Sequence, residues 1–164
     1  YVSNAGSNTV SEIEIRDWTV VRDIKTGGEP EHMVLDTQNR TLFIANTADG
    51  NVWAIDLESG SPVQRYPVGE VPHGIDIGGD ACCLFVTSRK EGLVTRIDLA
   101  SGSVKTANLS PAPYHVSYVG GFNELYVSSR VEPKIWVLDP ATLKVTATIG
   151  LGEGVAHQMV VRDE

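Results

Sequence analysis

The sequence predicts an all-β chain built as a β-propeller of four repeats. Three observations carry this. An aromatic strand returns at intervals of 42, 42 and 41 residues. Apolar and polar residues alternate with a period of two, and no helical period appears. Turn residues separate runs that are strand-sized throughout. The aromatic strand reads Tyr1-Val2-Ser3-Asn4, Phe43-Ile44-Ala45-Asn46, Phe85-Val86-Thr87-Ser88 and Tyr126-Val127-Ser128-Ser129. A second strand follows as Val10–Ile15, Val52–Leu57, Val94–Leu99 and Ile135–Asp139. Its acidic position, Glu14, Asp56, Asp98 and Asp139, repeats at the same three intervals. A turn and a third strand come next, the strand being Val20–Ile24, Val63–Val68, Val104–Leu109 and Val145–Leu151. A fourth type precedes each aromatic strand: Met33–Leu35, Gly74–Ile77, Val116–Val119 and Gln158–Val161. Four short antiparallel strands in about 42 residues is the size of one propeller blade. Such a sheet covers both its faces only by stacking against neighbours around an axis.

The units fall at 1–28 (a partial blade), 29–69, 70–110, 111–152 and 153–164, the last supplying an innermost strand alone. Composition fits this picture. The chain has 164 residues, a net charge of −8, 41% hydrophobic residues, 16 Gly and 8 Pro. The acidic balance excludes nucleic-acid binding through a basic surface, because phosphate contacts need clustered Lys and Arg. No apolar run approaches the ~18 residues of a membrane-spanning helix. With neither an initiator Met nor a signal segment, the chain is expected to begin as mature or excised material.

Tyr1-Val2-Ser3-Asn4 followed by Ser7-Asn8-Thr9-Val10-Ser11 resembles the YVTN-type β-propeller repeat. Asn51-Val52-Trp53-Ala54-Ile55-Asp56 matches it more loosely. The resemblance spans essentially the whole chain and implies an extracytoplasmic protein: periplasmic, secreted or at the cell surface. It also implies a ring of seven or eight blades, of which four units are about half. The wider superfamily includes surface-layer proteins, lactonase-like proteins and the propellers of periplasmic amine dehydrogenases, nitrite reductases and nitrous oxide reductases. Fold likeness raises all these functions and selects none. From each His to the next strand aromatic is 11, 12 and 11 residues, whereas 7 follow His157, so a seamless four-blade ring falls short. A partial chain of a larger propeller is the first expectation. A homodimer completing an eight-bladed ring is the second, and a self-closed four-blade ring the third.

All four histidines, His32, His73, His115 and His157, sit just before the innermost strand, at spacings of 41, 42 and 42. That strand lines the central channel and starts at one mouth, so four imidazoles are expected around the axis. Neutral imidazoles with few carboxylates suit a transition metal, copper best. Nitrous oxide reductase resembles this in the placement of its His-rich copper cluster. The plain alternative is a repeat consensus, since the family often carries Pro-x-Gly or Pro-His-Gly in this slot. Counted from the aromatic, His73 is one residue out of step, which predicts that the four side chains do not converge.

Strands alternate direction, so the loops after the aromatic strand share the His mouth. Asn46, Arg89, Lys90, Arg130 and Lys134 are placed there, among Glu29, Glu31, Glu70, Glu91, Glu132 and Glu153. Asn46, Arg89, Arg130 and Lys134 are the candidate ligand-binding residues, the two arginines holding an anion by forked hydrogen bonds. Lactonase-like propellers offer an enzyme reading through a Gly-x-Pro-Arg-His element. Gly28-Glu29-Pro30-Glu31-His32 has Glu where that element has Arg, and would use His32 with Glu31 as base.

Cys82 and Cys83 form the only cysteine pair, and no CxxC spacing exists for a zinc site or c-type haem. Adjacent cysteines rarely bridge, because ordinary disulfides join Cα atoms ~4.4–6.8 Å apart. One is expected to pack within its blade and the other against the next sheet. Trp53 and Trp136 hold equivalent positions and are expected between blades, with Trp18 partly exposed in a turn. The leading functional expectation is an extracytoplasmic scaffold that binds a small molecule or protein partner at the His-lined mouth. A periplasmic oxidoreductase section with copper or haem there is the alternative, and a lactonase-like hydrolase the third.

Overall fold

A computed structural model of the chain describes residues 1–160, as four antiparallel sheets that are blades of a β-propeller. The first has three strands, β1 (Val2–Asn4), β2 (Thr9–Glu14) and β3 (Thr19–Lys25). The second runs β4 (Pro30–Asp36), β5 (Thr41–Asn46), β6 (Asn51–Asp56) and β7 (Ser61–Pro67). The third runs β8 (Pro72–Ile77), β9 (Cys83–Ser88), β10 (Leu93–Asp98) and β11 (Val104–Asn108). The fourth runs β12 (Pro113–Val119), β13 (Glu124–Ser129), β14 (Lys134–Leu138) and β15 (Val145–Gly150). Within each sheet, every strand pairs with its neighbour in sequence. Residues 158–160 of the expected strand Gln158–Val161 carry no strand pairing, and Val161 lies outside the described residues.

Alternation along each strand feeds two different cores. In β5, Leu42 and Ile44 face blade 1 and join Val10, Ile24, Ile55 and Leu57. Phe43, between them, faces blade 3 and joins Val52, Tyr66, Ile75, Leu84, Val86 and Ile97. In β9 the same alternation sends Leu84 and Val86 back to that layer, while Phe85 joins Val94, Val116, Leu125, Val127 and Trp136 beneath blade 4. Successive side chains of a strand point to opposite faces, so each blade serves as the wall of two layers.

The recurrent acidic position now has a local cause. The Asp56 carboxylate accepts from the Ser59 N–H at 2.8 Å and its hydroxyl at 2.6 Å. Asp98 does the same for Ser101, and Asp139 for Thr142. A short acidic side chain closes the turn by satisfying N–H groups that the ladder leaves open.

The innermost strands β4, β8 and β12 lie side by side around the axis. Each carries a β-bulge at its start: between Pro30 and Met33, Pro72 and Ile75, and Pro113 and Val116. Before each bulge stands a residue in the left-handed region: Glu29 (φ 52°), Val71 (φ 56°) and Ala112 (φ 49°). For a β-branched residue such as Val71 this conformation is strained, and it persists because the repeated hairpin geometry over-determines it.

Candidate ligand site at the channel mouth

The bulges hold three of the four histidines, His32, His73 and His115. Each inserts two residues opposite one of the partner strand, and so re-aims side chains. The first bulge position is Glu31 in β4, His73 in β8 and Tyr114 in β12. The second is His32, Gly74 and His115. The one-residue step of His73, which argued against convergence, therefore does the reverse. His73 lies between Glu31 and Tyr114: its Nδ1 is 2.9 Å from Glu31 Oε2, and its ring stacks on Tyr114 with centroids 3.9 Å apart. Gly74 leaves the second position of blade 3 empty of side chain. The His32 and His115 rings close across it to 5.1 Å, and His32 lies 4.4 Å from His73.

Gly74 is required by space. A Cβ there would lie 2.5 Å from the Tyr114 carbonyl oxygen and 2.8 Å from the Val116 nitrogen. The Gly74 N–H donates to Thr87 Oγ1 at 3.0 Å, and that hydroxyl donates in turn to the Tyr114 carbonyl. One buried threonine thus ties β8 to β12 at the level of the imidazoles. The His115 N–H donates to Ser128 Oγ at 3.1 Å.

Burial, then the imidazoles of His32 and His115 and the Arg89 guanidinium, push His73 down to about 3. The Glu31 carboxylate favours a proton on His73 by its position, but it is partly solvated and the other influences outweigh it. His115 is pushed down to about 4, by burial first and then by His32 and His157. His32 is also lowered, mainly by burial, with Glu31 opposing. The mouth is therefore lined by neutral imidazoles at neutral pH. Two of their atoms, His73 Nε2 and His115 Nδ1, are buried without a hydrogen-bond partner among the described residues. Buried polar atoms are normally paired, so each such exception needs a reason.

Two cations flank the group. The Arg130 guanidinium lies 5.2 Å from the Tyr114 centroid and that of Arg89 lies 6.0 Å from it. They hold equivalent slots: the Arg89 N–H donates to the Val71 carbonyl at 3.1 Å and the Arg130 N–H to the Ala112 carbonyl at 2.9 Å. In blade 2 that slot belongs to Thr47, whose N–H donates to the Glu29 carbonyl at 3.0 Å. Asn46 instead matches Ser88 and Ser129, all buried inside the blades, and its Nδ2 donates to Asn51 Oδ1 at 3.2 Å. Lys134 is engaged elsewhere, with Nζ against Glu132 and 4.6 Å from the Trp136 centroid. His157 is exposed and meets Tyr114 edge-on at 5.2 Å. Of the candidates, His32, His73, His115, Arg89 and Arg130 come together, with His157 at the margin. Sequence reasoning missed Tyr114, on which the group stacks. Its signal was its place beside His115 in the His slot.

Neutral imidazoles, one oriented by a carboxylate, suit a transition metal. Yet among the described residues no three His, Cys, Asp or Glu side chains are arranged to hold a metal ion. The Glu31 carboxylate lies 2.9 Å from His73 on the next blade and also acts on His32, so it is shared between the two imidazoles.

The architecture has close counterparts. Over 94% of its length the chain superposes on 45% of a Kuenenia stuttgartiensis hydrazine synthase chain, with a TM-score of 0.82 and 18% identity. Over 90% it superposes on 46% of a chain from a mitotic checkpoint complex, with a TM-score of 0.79 and 16% identity. The fold is a β-propeller section. The chain spans less than half the length of either of these chains. At such identities the likeness concerns fold alone. No protein-family model and no curated protein sequence matches the chain.

Proposed function

We propose that this chain is a binding section of a larger propeller, and that its His-lined mouth takes a small ligand carrying an anionic group. One observation carries the reading: His73 Nε2 and His115 Nδ1 are buried, unpartnered among the described residues and flanked by Arg89 and Arg130. A guanidinium pair supplies charge and forked donors, and neutral imidazoles add hydrogen bonds and a flat apolar face. The extracytoplasmic placement, and membership of the YVTN-type repeat group, rest on the sequence resemblance. A protein partner would present the same chemistry through an acidic side chain or terminal carboxylate.

The test is titration of the pure chain with malonate and with inorganic phosphate, followed through the histidine C–H signals by NMR. Shifts at His73 and His115, and their weakening by at least about tenfold in an R89A/R130A variant, are the expected result. Silence from both anions at millimolar concentration would sink the reading.

The close contact of the Glu31 carboxylate with His73 Nδ1, at 2.9 Å, favours a second reading, a copper centre of an oxidoreductase section. That contact would orient His73 Nε2 toward a metal, as a carboxylate behind a metal-ligating imidazole does. Addition of Cu(II) with measurement of its electron-spin resonance decides this. A nitrogen-coupled signal lost in H73N/H115N supports it, and a signal unchanged by those substitutions removes it.

A further inference from the structure

The chain carries a second chemical feature at its opposite mouth. β8 starts at the histidines and ends at Ile77, so the turn that follows, Gly78 to Cys82, lies at the far end of the channel. There the two cysteines meet, both reduced, with sulfur atoms 2.9 Å apart. They are not two packing residues. Cys83 is buried in the core between blades 3 and 4, while Cys82 is exposed.

The turn is shaped around the pair. Gly78 has φ −72° and ψ 163°, an extended conformation open to any residue. Its lack of a side chain matters for space: a Cβ would lie 2.6 Å from Cys83 Sγ and 3.4 Å from Cys82 Sγ. The backbone is pinned on both sides. The Gly78 N–H donates to the Cys83 carbonyl at 2.8 Å, and the Leu99 N–H to the Cys82 carbonyl at 3.0 Å. The sulfurs open on a cavity of about 150 Å³ between blades 3 and 4, also lined by Arg96, Tyr118 and Asn123.

We propose that Cys82 and Cys83 are a redox-active vicinal dithiol, oxidised to a disulfide by exchange with a small-molecule disulfide. The exposed Cys82 thiolate attacks one sulfur of the reagent, forming a mixed disulfide and expelling one thiolate. Cys83 then loses its proton to solvent and attacks Cys82 Sγ, expelling the second thiolate. Two protein thiols become one disulfide, and the reagent gains two electrons and two protons as two thiols. The order follows from the site. Burial first, and the neighbouring Cys82 second, push the Cys83 thiol up to about 12, so it stays protonated while Cys82 is free. Capping Cys82 removes the neighbour's contribution, so that burial alone still opposes the Cys83 thiolate and Arg96 favours it. The second step is fast because the reacting atoms are already in contact. Ring closure joins Cα atoms about 3.8 Å apart, short of the usual ~4.4–6.8 Å, so the bond is strained and readily reduced, as suits a reversible switch.

The test incubates the reduced full chain with oxidised glutathione, quenches in acid, and reads intact mass and alkylatable thiols. Wild type is expected to lose two hydrogen masses and both free thiols, with no lasting glutathione adduct. C83S should retain one adduct, at Cys82. C82S, whose thiol is buried, should react roughly tenfold more slowly. G78A, with its fold checked by circular dichroism, should slow ring closure and let the mixed disulfide accumulate. A lasting adduct at Cys82 in wild type, two thiols still alkylatable, or closure equally fast in the urea-unfolded chain would each overturn the proposal.

Discussion

At the residue scale, the histidines of the mouth couple ligand readiness to stability. Their folded values, about 3 for His73 and about 4 for His115, lie below the ordinary 6.5. The unfolded chain thus binds protons that the folded chain refuses. The histidine contribution is full above 6.5 and falls as pH drops from there, to about 4 for His115 and about 3 for His73. The turn carboxylates of Asp56, Asp98 and Asp139 act in a lower window. Side-chain hydroxyl and backbone N–H bonds hold them below the ordinary 3.8, so their contribution is present above that value and lost beneath it. The expected outcome is a two-stage acid loss. Thermal melts of wild type and H73N/H115N across the upper window check it: the double variant should lose most of that slope and keep the lower one. Equal slopes in both proteins would place the acid sensitivity elsewhere.

At the scale of the element, the site is a property of bulges and of one glycine. His73 was one residue out of step in the sequence, and the direct inference was divergence. The bulge reverses it by pointing consecutive residues to different places. That choice depends on cross-strand hydrogen bonds, which no periodicity encodes. Arg89 and Arg130 were legible as matched slots because their strands repeat without insertion. Asn46 is the buried last residue of β5, and the loop slot that matches Arg89 and Arg130 begins one residue later, at Thr47. The element-scale prediction concerns Gly74. Gly74→Ala forces β8 from β12 or displaces Thr87, and overpacking of this kind costs roughly 1–3 kcal/mol. It should also separate the rings of His73 and Tyr114, changing the histidine NMR signals of the folded protein. A variant with unaltered signals and melting would mean that the strands yield without consequence.

At the scale of the whole molecule, protection from solvent is uneven around and along the blades. β9 is buried along its full length and lies between two cores, whereas β15 is exposed along its full length. Local opening follows burial and packing. Amide hydrogen exchange should therefore be slowest in β5 and β9, faster in β3 and β7, and fastest in β15. Protection in β15 equal to that in β9 would show a cooperative unit larger than one blade. The same layering explains why Phe85, the largest fully buried side chain, sits in β9. Phe85→Ala is expected to cost about 3–5 kcal/mol, read from denaturant melts.

The sequence by itself determined the class of fold, the repeat length, the strands of each blade, the acidic turn position and the common slot of the histidines. These follow from periodicity and turn chemistry, which act between residues near in the chain. Tertiary structure alone decided which of those residues meet. The partnership of Glu31 with His73, the stacking of His73 on Tyr114 and the closing of His32 on His115 across Gly74 join three blades. Such contacts are set by how closely neighbouring inner strands approach, and that distance depends on a Cβ that Gly74 does not have.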